Sequence, residues 1–443
     1  MGLGALLVLV VIGYFAVAAF VNHLLNSGGL ARAVGKKTGA ILKADAGYLP
    51  FFWRGLTVRS DGLLVRGNRP EGLQEMQVQN ICASCNLRSL WQRKFVIERL
   101  TADHLEAAFG KAAREEMKSL LPHAQELQPP EDTPSPLKLV ISETILRQLD
   151  LFWGDKAGAT GAIRSALVKF YPDGADLNAV GTDGTLEQSG WPKLRIARVE
   201  AHYAKPRLEL RSGRFAIGKA EDLTATGFFD FPEGGGGGMQ LNLQAAKVPA
   251  EPFLKGYWKG KFTGSFDSDS QIAKKFQPGA QTSARGALKF LQAELHDVPT
   301  LDKVALLTRH PQFAHLHLDE LRGHYEWTGN RLEVRELQVE AKKLICIEGS
   351  LTIANEEIDG NLQIGATAEV LDTIPGAREK VFTRVHDGYC WTSLKLSGPL
   401  KHPHEDLKQR LVTAAEEQLA KGFLAPLLKP GKAILRLLGG LYE

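Results

Sequence analysis

Apolar residues recur at every second position along most of this chain, and the clearest case lies between Glu348 and Gly365. Gly349-Ser-Leu351-Thr-Ile353 and Gly360-Asn-Leu362-Gln-Ile364 say the same short phrase twice, joined by the polar turn Asn355-Glu356-Glu357. Alternation of this kind predicts paired strands with one apolar and one polar face. The phrase returns in Gly227-Phe-Phe229-Asp-Phe231, Met239-Gln-Leu241-Asn-Leu243, Gly264-Ser-Phe266, Gly286-Ala-Leu288-Lys-Phe290 and Gly323-His-Tyr325-Glu-Trp327. The fold class this predicts is mainly β: a curved antiparallel sheet, open as a groove or a sandwich, with few short helices.

Three segments break the alternation. Leu3 to Leu25 holds no Asp, Glu, Lys or Arg and is long enough to cross a hydrocarbon core of roughly 30 Å as a helix. It reads as an uncleaved transmembrane anchor, since no basic residue precedes it and it is long for a signal peptide, although Ala16-Val17-Ala18 has the spacing of a cleavage site. Pro299 to His310 carries Leu301, Val304, Ala305 and Leu306 at helical spacing. Glu405 to Phe423 reads as an amphipathic helix, and the leucine-rich basic stretch after it either lies on a membrane surface or caps an open sheet end.

The organisation expected is an anchor at 1–26, an N-terminal β region at 27–121, a Pro-rich linker at 122–136, a middle β region at 137–281, a C-terminal β region at 282–403 and a helical tail at 404–443. Composition adds little to this. With 54 Lys and Arg against 50 Asp and Glu the net charge is +4, and no basic block is interleaved with stacking aromatics, so nucleic acid is not indicated. Lys and Arg at positions 32, 36, 37 and 43 follow the anchor, and a literal positive-inside count puts the body in the cytoplasm.

Candidate chemistry is sparse. Cys82-Ala-Ser-Cys85 has no second ligand pair for zinc and sits in a strand-like run, not at the helix start a redox thiolate needs. Cys346 and Cys390 meet only if the fold brings distant strands together. His310, His315, His317 and Asp319 make up the histidine cluster, but Leu316 and Leu318 alternate with the histidines and leave them on a solvated face. Gly234 to Gly238 lacks the following helix a phosphate cradle requires. No catalytic residue is nominated, no cofactor or metal is called for, and the chain does not read as an enzyme.

Burying one apolar face at about 25 cal/mol per Å² requires a second sheet, helices or a ligand, and the helices are too few. Here a resemblance enters. The N-terminal membrane helix, the run from Ser89 to Leu100, the hairpin of Gly349 to Gly365 and the closing stretch Leu396 to Leu411 resemble bacterial AsmA-like proteins, relatives of TamB and YhdP. The resemblance implies an inner-membrane, single-pass protein with its body in the periplasm, an elongated sheet with an apolar interior, and a part in phospholipid traffic and outer-membrane biogenesis. It implies phospholipid and envelope proteins as partners and no catalytic residues. The apolar candidates for contact with acyl chains are Phe229, Phe231, Leu241, Leu243, Leu351, Ile353, Leu362 and Ile364. The alternative is an assembly scaffold with a closed β core.

Overall fold

The computed structural model describes residues 44–48, 51–54, 57–67, 73–86, 94–110, 138–154, 160–218, 220–232, 236–277, 279–400 and 402–421. The expected anchor, the linker and the basic tail beyond Lys421 lie outside these residues. Among the described residues, no helix is long and apolar enough to cross a membrane. The protein is mainly β, in long and mostly antiparallel strands, as the alternation predicts.

Two compact units divide the chain, one ending at Glu221 and the other beginning at Asp222. The first holds β1 (Ala44–Tyr48), β2 (Phe51–Arg54), β3 (Thr57–Gly67), β4 (Leu73–Asn86), β5 (Lys94–Phe109), β6 (Lys138–Ile141), β7 (Thr144–Gly154), β8 (Thr160–Asp173), β9 (Asp176–Thr182), β10 (Thr185–Gln188), β11 (Leu194–Ala204) and β12 (Arg207–Ile217). One departure from the expected antiparallel order occurs here: β5 pairs parallel with both β6 and β7. Parallel neighbours need a long return connection, and 111–137 supplies the length. Leu63, Val65, Val78, Ala102, Leu146 and Val168 form its main core.

A carboxylate holds one of the bulges in this unit. Ser165 interrupts β8 at φ 56°, and its N–H donates to Asp150 Oδ1 at 2.6 Å. The second unit repeats the device: Lys247 lies at φ 54°, and its N–H donates to Asp267 Oδ1 at 2.7 Å. An acceptor on the next strand satisfies the N–H that the bulge removes from the ladder, which stabilises the extra twist.

The second unit runs through β13 (Ala220–Asp230), β14 (Gly238–Pro249), β15 (Phe262–Lys275), β16 (Ser283–His296), helix α1 (Pro299–Thr308), β17 (His315–Leu318), β18 (Glu320–Thr328), β19 (Arg331–Ala341), β20 (Ile345–Ala354), β21 (Glu357–Ala366), helix α2 (Ala368–Leu371), β22 (Arg384–His386), β23 (Tyr389–Pro399), β24 (His404–Glu405) and helix α3 (Leu407–Lys421). Its main strands pair in chain order, β16 meeting β18 and β21 meeting β23 across short insertions. Pro299 in the first turn and Arg309 in the left-handed conformation set the limits of α1. In α3 the Glu405 carboxylate accepts the N–H of Leu407 and of Lys408 at 2.7 and 2.9 Å, filling orphan donors of the first turn.

Helices close one end of this sheet. Val370 and Leu371 of α2, Ala305 of α1 and Ala414 of α3 share a buried cluster with Leu318, Ala341, Ala366 and Cys390 at the strand ends, and with Phe382. Arg410 of α3 also donates to Thr392 Oγ1 of β23 at 2.9 Å. The amphipathic helix expected at Glu405 to Phe423 therefore spends its apolar face on the sheet over the residues described.

Candidate functional site

Register decides which residues share a face. Gly349 pairs with Leu362, Leu351 with Gly360 and Ile353 with Ile358 across β20 and β21, and Val334 and Leu332 of β19 stand opposite Leu351 and Ile353. Following the pairing outward brings Tyr325 and Trp327 of β18, Gly286 and Ala284 of β16, Ser270 and Ile272 of β15, and Leu243 and Leu241 of β14 into the same two rows. One apolar face therefore runs across the unit from β13 to β23. All the nominated apolar residues lie on it except Phe231, which follows the end of β13, is 50% exposed, and stacks on Phe276 at 5.7 Å.

Burial along this face is uneven. Phe229, Leu241, Leu243, Leu351 and Ile353 are half-buried. Leu362 is buried at 6% exposure, and Ile364 packs against the cluster that contains the helices. That cluster includes none of Leu241, Leu243, Leu332, Val334, Leu351, Ile353 or Ile358. Gly349 shows how tightly the strands meet here: at φ 144°, a Cβ on it would come 2.3 Å from the Asn361 carbonyl oxygen.

A cavity of about 1100 Å³ opens on the opposite, polar face, with walls that include Asp267, Lys289, Arg322, His324 and Glu348 and that also reach Ser268 in the row between them. Phe266, Phe290, Tyr325 and Leu351, which flank the same row on the apolar side, do not line it. Arg322 is held by Gln338, donating to its Oε1 from both Nε and Nη2 at 3.1 and 2.6 Å, and by Glu320 at 2.9 Å. The sequence carries no signal for this cleft, because alternate charged residues look like any solvated strand face.

The residues singled out for chemistry fall into plain structural settings. Cys82 and Cys85 both lie inside strand β4, not at the start of a helix. Cys346 and Cys390 point to opposite faces two strands apart, Cys346 pairing with Glu340 and Gly365 and Cys390 with Ala366. Burial pushes the Cys346 thiol up to about 11, with Glu348, Glu340 and Glu320 adding to it. His315 and His317 are exposed while Leu316 and Leu318 are buried, as their alternation predicts, and His317 stands 3.5 Å from Glu294. Among the described residues, no group of three or more His, Cys, Asp and Glu side chains is placed to hold a metal.

In the first unit, His104 and Asp150 pair at 2.7 Å, and the Gln148 amide donates to the same carboxylate oxygen at 2.9 Å. Burial pushes the Asp150 carboxyl up, but the Ser165 N–H, Gln148 and His104 outweigh it and hold the group below its ordinary value. The carboxylate is thus fully committed to its bulge and its neighbours. No family model, curated protein or solved structure matches this chain.

Proposed function

We propose that this chain is a membrane-anchored envelope protein of AsmA-like type that binds phospholipid acyl chains on the apolar face of its second unit and helps to move them, contributing to outer-membrane biogenesis. The observation that carries the reading is the uneven cover of that face. Helices bury one end of it, while Leu241, Leu243, Leu351 and Ile353 stay half-buried outside the helical cluster. Apolar area left in that state gains roughly 25 cal/mol per Å² when an alkyl chain replaces water, and a face several strands wide offers room for extended chains. The N-terminal apolar run from Leu3 to Leu25 is consistent with an inner-membrane anchor and a periplasmic body.

Delipidated protein is expected to take up labelled phospholipid, and native mass spectrometry of protein extracted from membranes is expected to show it bound. Absence in both experiments overturns the reading. A reporter fused after Glu443 is expected to be active in the periplasm, and cytoplasmic activity would reverse the localisation. The scaffold reading draws on the filled helical end; it predicts a dry interior and a co-purifying envelope protein in place of lipid.

A further inference from the structure

The apolar face of the second unit has a polar spot in its middle. Ser268 and Ser270 of β15 lie on that face between Phe266 and Ile272, where alternation calls for apolar residues. The Tyr325 hydroxyl donates to Ser270 Oγ at 2.8 Å, and Ser270 and Ser268 share a hydrogen bond at 2.6 Å. Tyr325 reaches Ser270 across the strand between them because that strand presents Gly286 at the crossing point. A Cβ on Gly286 would lie 2.7 Å from Ser270 Oγ and 2.3 Å from the Asp269 carbonyl oxygen, so any side chain there breaks the arrangement.

Hydrogen-bond accounting leaves one donor over. Three hydroxyls bring three hydrogens, and the chain Tyr325 to Ser270 to Ser268 uses two. Ser270 is 8% exposed, and stranding a spare O–H at a buried atom carries the full desolvation penalty of that group. The favoured arrangement passes the hydrogens outward and leaves the free O–H on Ser268, which is half-buried. Its complement is a hydrogen-bond acceptor. The acceptor must be neutral, because the rows on either side hold Phe266, Phe290, Ile272 and Trp327, with no ionised side chain to compensate a phosphate or carboxylate. The apolar bands beside it suit the alkyl chain attached to that acceptor.

We infer that Ser268, at the end of the Tyr325–Ser270–Ser268 hydroxyl chain, donates to the ester carbonyl of an acyl lipid lying on this face. The inference rests on the lipid reading above and narrows it to ester-linked chains. One neutral hydrogen bond contributes about 0.5–1.5 kcal/mol, or roughly two- to tenfold in affinity.

The test uses the full-length, delipidated protein and two phosphatidylcholines alike in chain length and headgroup, one diacyl and one dialkyl ether. Wild type is expected to bind the diacyl form roughly two- to tenfold more tightly. Ser268→Ala removes that preference and leaves the ether lipid unchanged, while Ser268→Thr, which keeps the hydroxyl, retains it. Ser350→Ala, on the polar face, has no effect on either. Equal binding of both lipids by wild type, or equal weakening of both by Ser268→Ala, overturns the inference and leaves the lipid reading standing. Failure of wild type to bind either lipid overturns both.

Discussion

The two ends of the apolar face in the second unit are built from the same alternating strands and finish in opposite states. At the end of Leu318, Ala341, Ala366 and Cys390, side chains from all three helices complete a buried cluster. At the end of Leu332, Ile353, Ile358 and Leu241, equally apolar residues remain half-buried. The strand pattern specifies only that a face is apolar. Which part of it becomes core depends on what the connections bring over it, and here the insertions after β16, β21 and β24 all deliver helices to one end. The difference separates apolar residues that complete a core from apolar residues that the helices leave uncovered.

The sharpest way to break this comparison is to cut a large side chain at each end. Leu371→Ala, at 2% exposure beneath the helices, is expected to cost about 2–5 kcal/mol in chemical denaturation, because a cavity stays behind in a packed cluster. A cost under about 1 kcal/mol would mean that the closed end is not a core.

Next in size is a titration with base, which probes the polar side of the same closed end. There the Tyr389 hydroxyl donates to Glu340 Oε1 at 3.1 Å. Burial first, and then Glu340, push the Tyr389 hydroxyl up to about 12, while burial pushes the Cys346 thiol up to about 11. A group whose pKa is raised by folding holds its proton more tightly in the folded state, so its stabilisation is complete below the unfolded value and is lost as pH rises through the folded one. Stability is therefore expected to fall from about pH 9 to about pH 12 by about 2–3 kcal/mol for each group. Tyr389→Phe removes the upper part of that fall, and tyrosinate absorbance followed with pH checks it. An unchanged profile in the variant would assign the loss elsewhere.

Smaller effects are expected at the open end. Ile353→Ala has no helix to leave a cavity under, so its cost should stay near about 1 kcal/mol, while uptake of phospholipid weakens measurably. A loss as large as that of Leu371→Ala would erase the distinction between the ends. The smallest effect belongs to His317→Ala, whose imidazole is exposed beside Glu294. It is expected to shift stability by less than about 0.5 kcal/mol, and a larger shift would point to a role for the histidine cluster.

Much of this was legible in the chain. Alternation is a local property, so the strands at His315–Leu318, the hairpin from Ile345 to Ala366 and the helix beginning at Pro299 can be read residue by residue. Short strands such as Asp176–Thr182 and Thr185–Gln188 are not, because their apolar residues are too few to establish a period. The parallel pairing of β5 with β7 was hidden for a different reason: pairing direction depends on where a connection returns. Ser268 and Ser270 did carry a signal, since two hydroxyls fall where Phe266 and Ile272 predict apolar residues.

By itself, then, the sequence determined the mainly β class, the sides of the strands that are apolar, and the residues that face one another's side of the sheet once register is known. Only the tertiary structure decided that the helices collect over one end, that the large cavity opens on the polar face, and that Tyr325 crosses Gly286 to meet Ser270. Periodicity is encoded between neighbours two residues apart, whereas cover and cavity arise between residues tens to more than a hundred positions apart. Folding brings those residues together, and no local pattern records it.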